Sequence, residues 1–137
     1  MIRRVRIAAT VLILYWIALF IATHVPIDAI ELAHNSDKVI HFAAYAGLAF
    51  LLALAMRPQR RSGLWTYAAL YATAASYAVV DELIQSLVPG RSADPLDWLA
   101  DVCGAGAGLV VYWIVRSAFY SFLATPQARI VETKEVS

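Results

Sequence analysis

Three short stretches carry most of the side chains of this 137-residue chain that could do chemistry: "DKVIHFAAY" from Asp37, "DELIQ" from Asp81 and "RSADPLDWLAD" from Arg91. On a helix, Asp37, His41 and Tyr45 fall on one stripe with Lys38 beside it. Asp81 and Gln85 stand four apart and Glu82 and Gln85 three apart, so these three share a face or its edge. Asp97, Asp101 and Gly104 form another stripe, with Arg91 and Asp94 just before it. Three kinds of chemistry fit this set. Lys38 and Arg91, helped by the backbone N–H groups of a helix N-terminus, could hold a phosphate or an anionic lipid headgroup. The carboxylates with His41 could hold a divalent cation, but H-E-x-x-H and similar spacings are absent, so no metal ligand set and no cofactor is assigned. His41 against a carboxylate could serve as a general base, which makes His41, Asp81 and Glu82 the catalytic candidates of an enzyme reading.

The elements that position these groups are greasy. The chain is 61% hydrophobic and 15% charged, against about 25% charged in ordinary soluble domains. Four apolar segments are each long enough to span a bilayer, at about 7–24, 39–56, 64–88 and 95–123. The basic start "MIRRVR" before the first could belong to a signal peptide, but the run is long, carries Tyr15 and Trp16 and lacks a small-x-small cleavage site. No segment alternates apolar and polar residues with period two, and helices satisfy their own backbone in lipid. The expected fold is all-α, a transmembrane four-helix bundle over residues 1–124, followed by a polar, cytoplasmic and disordered tail over 125–137.

Charge placement orients it. Arg3, Arg4, Arg6, Arg57, Arg60, Arg61, Arg116, Arg129 and Lys134, nine of the eleven basic residues, fall on one side, so both termini are expected in the cytoplasm. Asp28, Glu31, Asp37, Asp81, Glu82, Asp94, Asp97 and Asp101, eight of the ten acids, fall on the other with Lys38 and Arg91. Three polar stripes then meet near the outer interface. Ionisable groups at membrane depth are costly and usually face a bundle interior or a watery cavity. The plainer account is that these are the wet ends of helices, joined by ion pairs such as Arg91 with Asp97 and Lys38 with Glu82. It suits Asp81 and Glu82 least, because nearly two helical turns separate them from the "PG" at Pro89.

Local signals agree with the bundle. Asp94 suits an N-cap, Pro95 the first helical position and Asp97 the first turn, where the helix dipole favours negative charge. Gly104 and Gly108 make a GxxxG pattern, which in lipid lets backbones approach closely, within the bundle or between copies in a homo-oligomer. Cys103 beside them reads as a small packing residue.

Together these motifs resemble the VanZ-like family of small bacterial membrane proteins, named for an accessory teicoplanin-resistance protein. The resemblance lies in "DKVIHFAAY", "DELIQ" and "PGRSADPLDWLADVCGAGAG" and covers about residues 37–115; the first helix matches by position and hydropathy only. It implies an inner-membrane protein connected with the cell envelope, and in the named member with tolerance of a lipoglycopeptide antibiotic. The family pattern usually has asparagine where this chain has Asp101. That exchanges a group able to donate and accept for one that, ionised, only accepts. The expected ligand is a membrane lipid or lipid-linked glycan, with no nucleic-acid partner. A membrane-embedded hydrolase or transferase on a lipid-linked substrate, a small transporter and a structural scaffold are the alternatives.

Overall fold

The computed structural model describes residues 2–24, 34–56, 63–89 and 93–135, with side chains over 5–24, 37–56, 63–89 and 93–123. Four helices follow one another: α1 (Ile2–His24), α2 (His34–Met56), α3 (Leu64–Gln85) and α4 (Pro95–Glu135). Segments covering Val5–His24, Asp37–Met56 and Pro95–Leu123 are long and apolar enough to cross a membrane. α3 has the length, about 33 Å at 1.5 Å per residue. Its alanines, Thr66, Thr73, Ser76 and two acids make it the least apolar of the four expected spans.

The bundle is turned inside out relative to a soluble protein. Ile7, Leu14, Ile17, Ile21, Val39, Trp65, Leu83, Val110, Trp113 and Phe122 are exposed, while His41, Asp81, Glu82, Gln85, Asp97 and Asp101 are buried. Such a distribution suits lipid as the solvent. The apolar core is built from small residues: Ala49, Ala53, Ala74 and Ala105 pack with Leu70, Leu109 and Tyr112. A second cluster joins Leu19, Tyr45, Leu48 and Ala78.

α2 and α4 form the closest seam. A Cβ added at Gly104 would run into the Phe42 carbonyl, and one at Gly108 into the Ala46 carbonyl. The four-residue spacing on α4 meets the same spacing on α2, so the GxxxG pattern is used within the chain. A contact between copies through these two glycines would have to displace α2. Cys103 does not pack; it is exposed on the outside of α4. Tyr15 ties α1 to the seam, its hydroxyl donating to the Ala44 carbonyl at 2.8 Å and lying against Gly47.

Helix ends follow the local chemistry. Asp94 caps α4, its Oδ1 accepting from the Leu96 N–H at 2.9 Å, with Pro95 at the first position. α3 stops at Gln85, a turn earlier than its apolar pattern, and the chain turns through Leu87 N–H to Ile84 O and Val88 N–H to Gln85 O. α2 begins at His34, so Asp37 and Lys38 stand on the helix rather than before it. α4 continues through Glu135, past Leu123 where its apolar stretch ends. Helix thus extends over residues whose composition reads as a disordered tail; Ala124, Gln127, Ala128 and Arg129 favour it, and Pro126 opposes it.

Candidate functional site

The polar stripes of α2, α3 and α4 meet at one end of the bundle, and the last turn of α1 joins them. On α4 the buried stripe runs Asp97, Asp101, Gly104, Gly108, so the polar end and the glycine seam are two ends of one face, both turned toward α2. The seam therefore determines how near the carboxylates come to His41.

At the mouth, Lys38 Nζ lies 2.8 Å from Asp94 Oδ2 and 2.6 Å from Asp97 Oδ1. The Lys38–Glu82 pair that the plainer account of wet helix ends offered is not made. Glu82 Oε1 instead accepts the backbone N–H of Asp94, which pins the end of α3 to the start of α4. Asp94 wins Lys38 because capping α4 brings its carboxylate round to face α2. Arg91, and with it the suggested Arg91–Asp97 pair, lies outside the described residues.

Below the mouth, His41 Nδ1 is 3.0 Å from Asp101 Oδ1 and His41 Nε2 is 4.0 Å from Asp37 Oδ1. A nitrogen of His41 and one oxygen each of Asp37 and Asp97 all lie within 4.8 Å of one another. Asp101 is 1% exposed and its Oδ2 has no hydrogen-bond partner among the described residues. The same holds for Glu82 Oε2 and for the hydroxyl of Tyr45.

Deeper on α3, Asp81 is fully buried and well supplied. Gln85 Nε2 donates to its Oδ2 at 2.8 Å, and the hydroxyls of Tyr77 and Thr23 lie 3.3 Å from its Oδ1. His24 Nδ1 is 4.0 Å from the same oxygen and 2.7 Å from the Phe20 carbonyl, while its ring stacks on Phe20 with centroids 4.0 Å apart. Tyr77 also stacks against Tyr45, centroids 6.1 Å apart, and meets the edge of Trp16 at 5.2 Å.

The structure thus brings together Asp37, Lys38, His41, Tyr45, Asp81, Glu82, Gln85, Asp94, Asp97 and Asp101. It adds three residues that the motifs did not single out: Thr23, His24 and Tyr77. Tyr77 had a signal in its spacing of four before Asp81. Thr23 and His24 had none beyond their place at the end of the first apolar run.

Two apolar cavities accompany the polar end. One of about 130 Å³ lies between α1, α2 and α3, lined by Leu12, Trp16, Leu48, Leu52, Thr73, Ala74 and Tyr77. Tyr77 belongs to both worlds, since its ring walls this cavity and its hydroxyl reaches Asp81. The other, about 420 Å³, lies between α3 and α4 against Leu64, Tyr67, Leu109, Val110 and Trp113, toward the opposite end of α3.

The family model described as VanZ/LLP1 matches residues 4–116, a span that includes every residue of this site. The chain belongs to the VanZ/LLP1 family. It is a membrane protein of that family, with three helices apolar enough to cross a bilayer. No curated protein and no solved structure matches the chain. In this VanZ/LLP1 chain the Asp101 carboxylate keeps the acceptor that asparagine would offer His41 and adds a second oxygen that has no partner among the described residues.

Proposed function

We propose that this VanZ/LLP1 protein recognises the headgroup of an envelope lipid or lipid-linked glycan, with the polar end taking the headgroup and the α1–α2–α3 cavity taking part of the chain. The observation that carries this reading is Tyr77, which joins a carboxylate cluster to an apolar cavity through one side chain. A lipid needs such a junction, because its headgroup and its tail demand opposite surroundings within a few ångströms.

Charge favours a particular headgroup. Among the described residues, Asp37, Asp81, Glu82, Asp94, Asp97 and Asp101 share the polar end with one lysine, and that lysine is held by Asp94 and Asp97. A bare phosphate would have to compete with those carboxylates for Lys38. Sugar hydroxyls or an ammonium group would find acceptors waiting. Recognition of this kind belongs to envelope function in the cytoplasmic membrane, and tolerance of teicoplanin-like glycopeptides is the physiological outcome the VanZ-like resemblance implies.

The orientation that suits this role has both termini in the cytoplasm and the polar end outward, following the arginines. Termini on one side require an even number of crossings, so α3 must cross as well, sheltered by α2 and α4. Reporter fusions at the two termini test this, and opposite sides for the two would overturn it.

Lipid binding is tested by native mass spectrometry of the detergent-solubilised protein. Thr73 lies exposed on the rim of the cavity, so Thr73→Trp should block the cavity without disturbing the core. Retention of lipid-linked glycan should fall by about tenfold, a loss of about 1.4 kcal/mol of binding. Equal retention by the two proteins would sink the lipid reading.

The His41–Asp101 contact supports a second reading, a hydrolase or transferase acting on the same lipid-linked substrate with His41 as base and Asp101 orienting it. Turnover of a lipid-linked substrate by the wild type and not by His41→Gln, with equal lipid retention, would favour this reading over simple binding.

A further inference from the structure

Among the described residues, the mouth of the site carries more carboxylates than cations. Asp37, Glu82, Asp94, Asp97 and Asp101 are answered by Lys38, which spans Asp94 and Asp97, and by His41 if protonated. Glu82 Oε2 and Asp101 Oδ2 are buried without a hydrogen-bond partner among the described residues, on side chains that are 7% and 1% exposed. Glu82 lies within electrostatic reach of His41, Asp97 and Asp81, and Asp101 within reach of His41, Asp81 and Glu82. Carboxylates buried with too few donors are expensive to keep unless positive charge lies close by, and an ion held on His41 would stand one imidazole ring away from Asp101.

We propose that Asp37, His41 and Asp97 form a divalent-cation site, with Asp101 holding the His41 ring in place. The three side chains already present one ligand atom each within 4.8 Å of one another. Ligand atoms around tetrahedral zinc are about 3.4 Å apart, so the triangle closes with a shift of about 1 Å. Asp37 can supply most of that shift, because its side chain is 34% exposed while those of its two partners are confined.

The roles divide cleanly. Asp101 at His41 Nδ1 fixes the ring and leaves Nε2, the nitrogen nearer Asp37, for the ion. A carboxylate behind a ligating histidine is the usual second partner of such a site and raises the basicity of the ring. Lys38 takes Oδ1 of Asp97, leaving the other oxygen of that carboxylate for the ion. One imidazole and two carboxylates suit zinc or manganese better than magnesium or calcium. Three protein ligands leave a coordination position open for water or for an oxygen of a bound molecule. The inference goes beyond headgroup recognition and is independent of it, since the ion would bind with no lipid present.

The test uses the untagged full-length protein in detergent, stripped with a chelator, loaded with Zn(II) and passed over a desalting column, with retained metal measured by mass spectrometry. The expected result is one zinc per chain. His41→Gln should retain none, and Asp37→Asn should weaken binding by at least tenfold. Asp101→Asn, which keeps one oxygen on His41, should weaken it by about ten- to a hundred-fold, the range for a partner behind a metal ligand. Co(II) titration gives a second readout on correctly folded protein, because visible absorption bands should appear in the wild type and change in Asp37→Asn. A wild type that retains no zinc, or an Asp37→Asn protein with unchanged affinity and an unchanged Co(II) spectrum, would overturn the site.

Discussion

Asp81 and Asp101 are both fully buried at the polar end of the bundle, but their surroundings differ. Asp81 has Gln85 on one oxygen and Tyr77 and Thr23 near the other, drawn from α3 and α1. Asp101 has His41 on one oxygen and nothing on the other among the described residues, as does Glu82 beyond its bond to Asp94. A buried carboxylate ringed by donors works as a structural knot, here tying the end of α1 to α3. A buried carboxylate with one bare oxygen has chemistry left over. The contrast divides the polar end into a part that holds the bundle together and a part that faces a ligand.

Substitutions probe that division, and Asp81→Ala should act most strongly. It strands the Gln85 amide and the Tyr77 hydroxyl of its own helix and the Thr23 hydroxyl of α1, at about 0.6 kcal/mol for the interhelical bond and about 0.5 to 1 kcal/mol for each of the two within α3, for a total of about 2 kcal/mol. Unfolding of the detergent-solubilised protein by increasing SDS should show it as an earlier midpoint. Lys38→Met comes next. It leaves Asp94 and Asp97 facing each other, so the melting temperature should drop, and the difference from wild type should shrink in high salt because the pair is partly exposed. Tyr77→Phe removes one long hydrogen bond to Asp81 within α3 while keeping the ring against Tyr45 and Trp16, so about 0.5 kcal/mol, the low end for a hydrogen bond, should be lost in the same SDS assay.

Asp101→Asn should act least on stability in metal-free protein, within about 0.5 kcal/mol of wild type. Asparagine still accepts from His41, and removing a buried charge offsets what the second oxygen contributed. If Asp101→Asn costs as much as Asp81→Ala, the two acids are equally structural and the division fails. If it is neutral for folding yet weakens zinc binding, the division stands and gains a ligand.

Much of this arrangement is legible in the sequence. The 3.6-residue period aligns Asp37, His41 and Tyr45, and it aligns Asp97, Asp101, Gly104 and Gly108, because the rise and turn of a helix are the same in any fold. The cap at Asp94 and the proline after it follow from backbone chemistry within four residues. What the spacing misses lies where helices meet. Lys38 is long enough for Glu82 or Asp97, and the choice is made where the helices meet: Glu82 is taken by the Asp94 N–H, while the α2–α4 seam sets Asp97 beside Lys38. Thr23 and His24 escape a sequence reading because nothing in α1 itself says which partner its last turn meets.

Composition and helical period alone make this chain a bundle of apolar helices with a polar end, and they assign the polar groups to one face of each helix. Both are local properties, and they survive any packing. Which carboxylate is finished and which is left open is a matter of how the helices pack. Tyr77 and Gln85 reach Asp81 from its own helix by spacing alone, but the third donor, Thr23, has to be delivered by α1, and only the close α2–α4 seam brings Asp101 to His41.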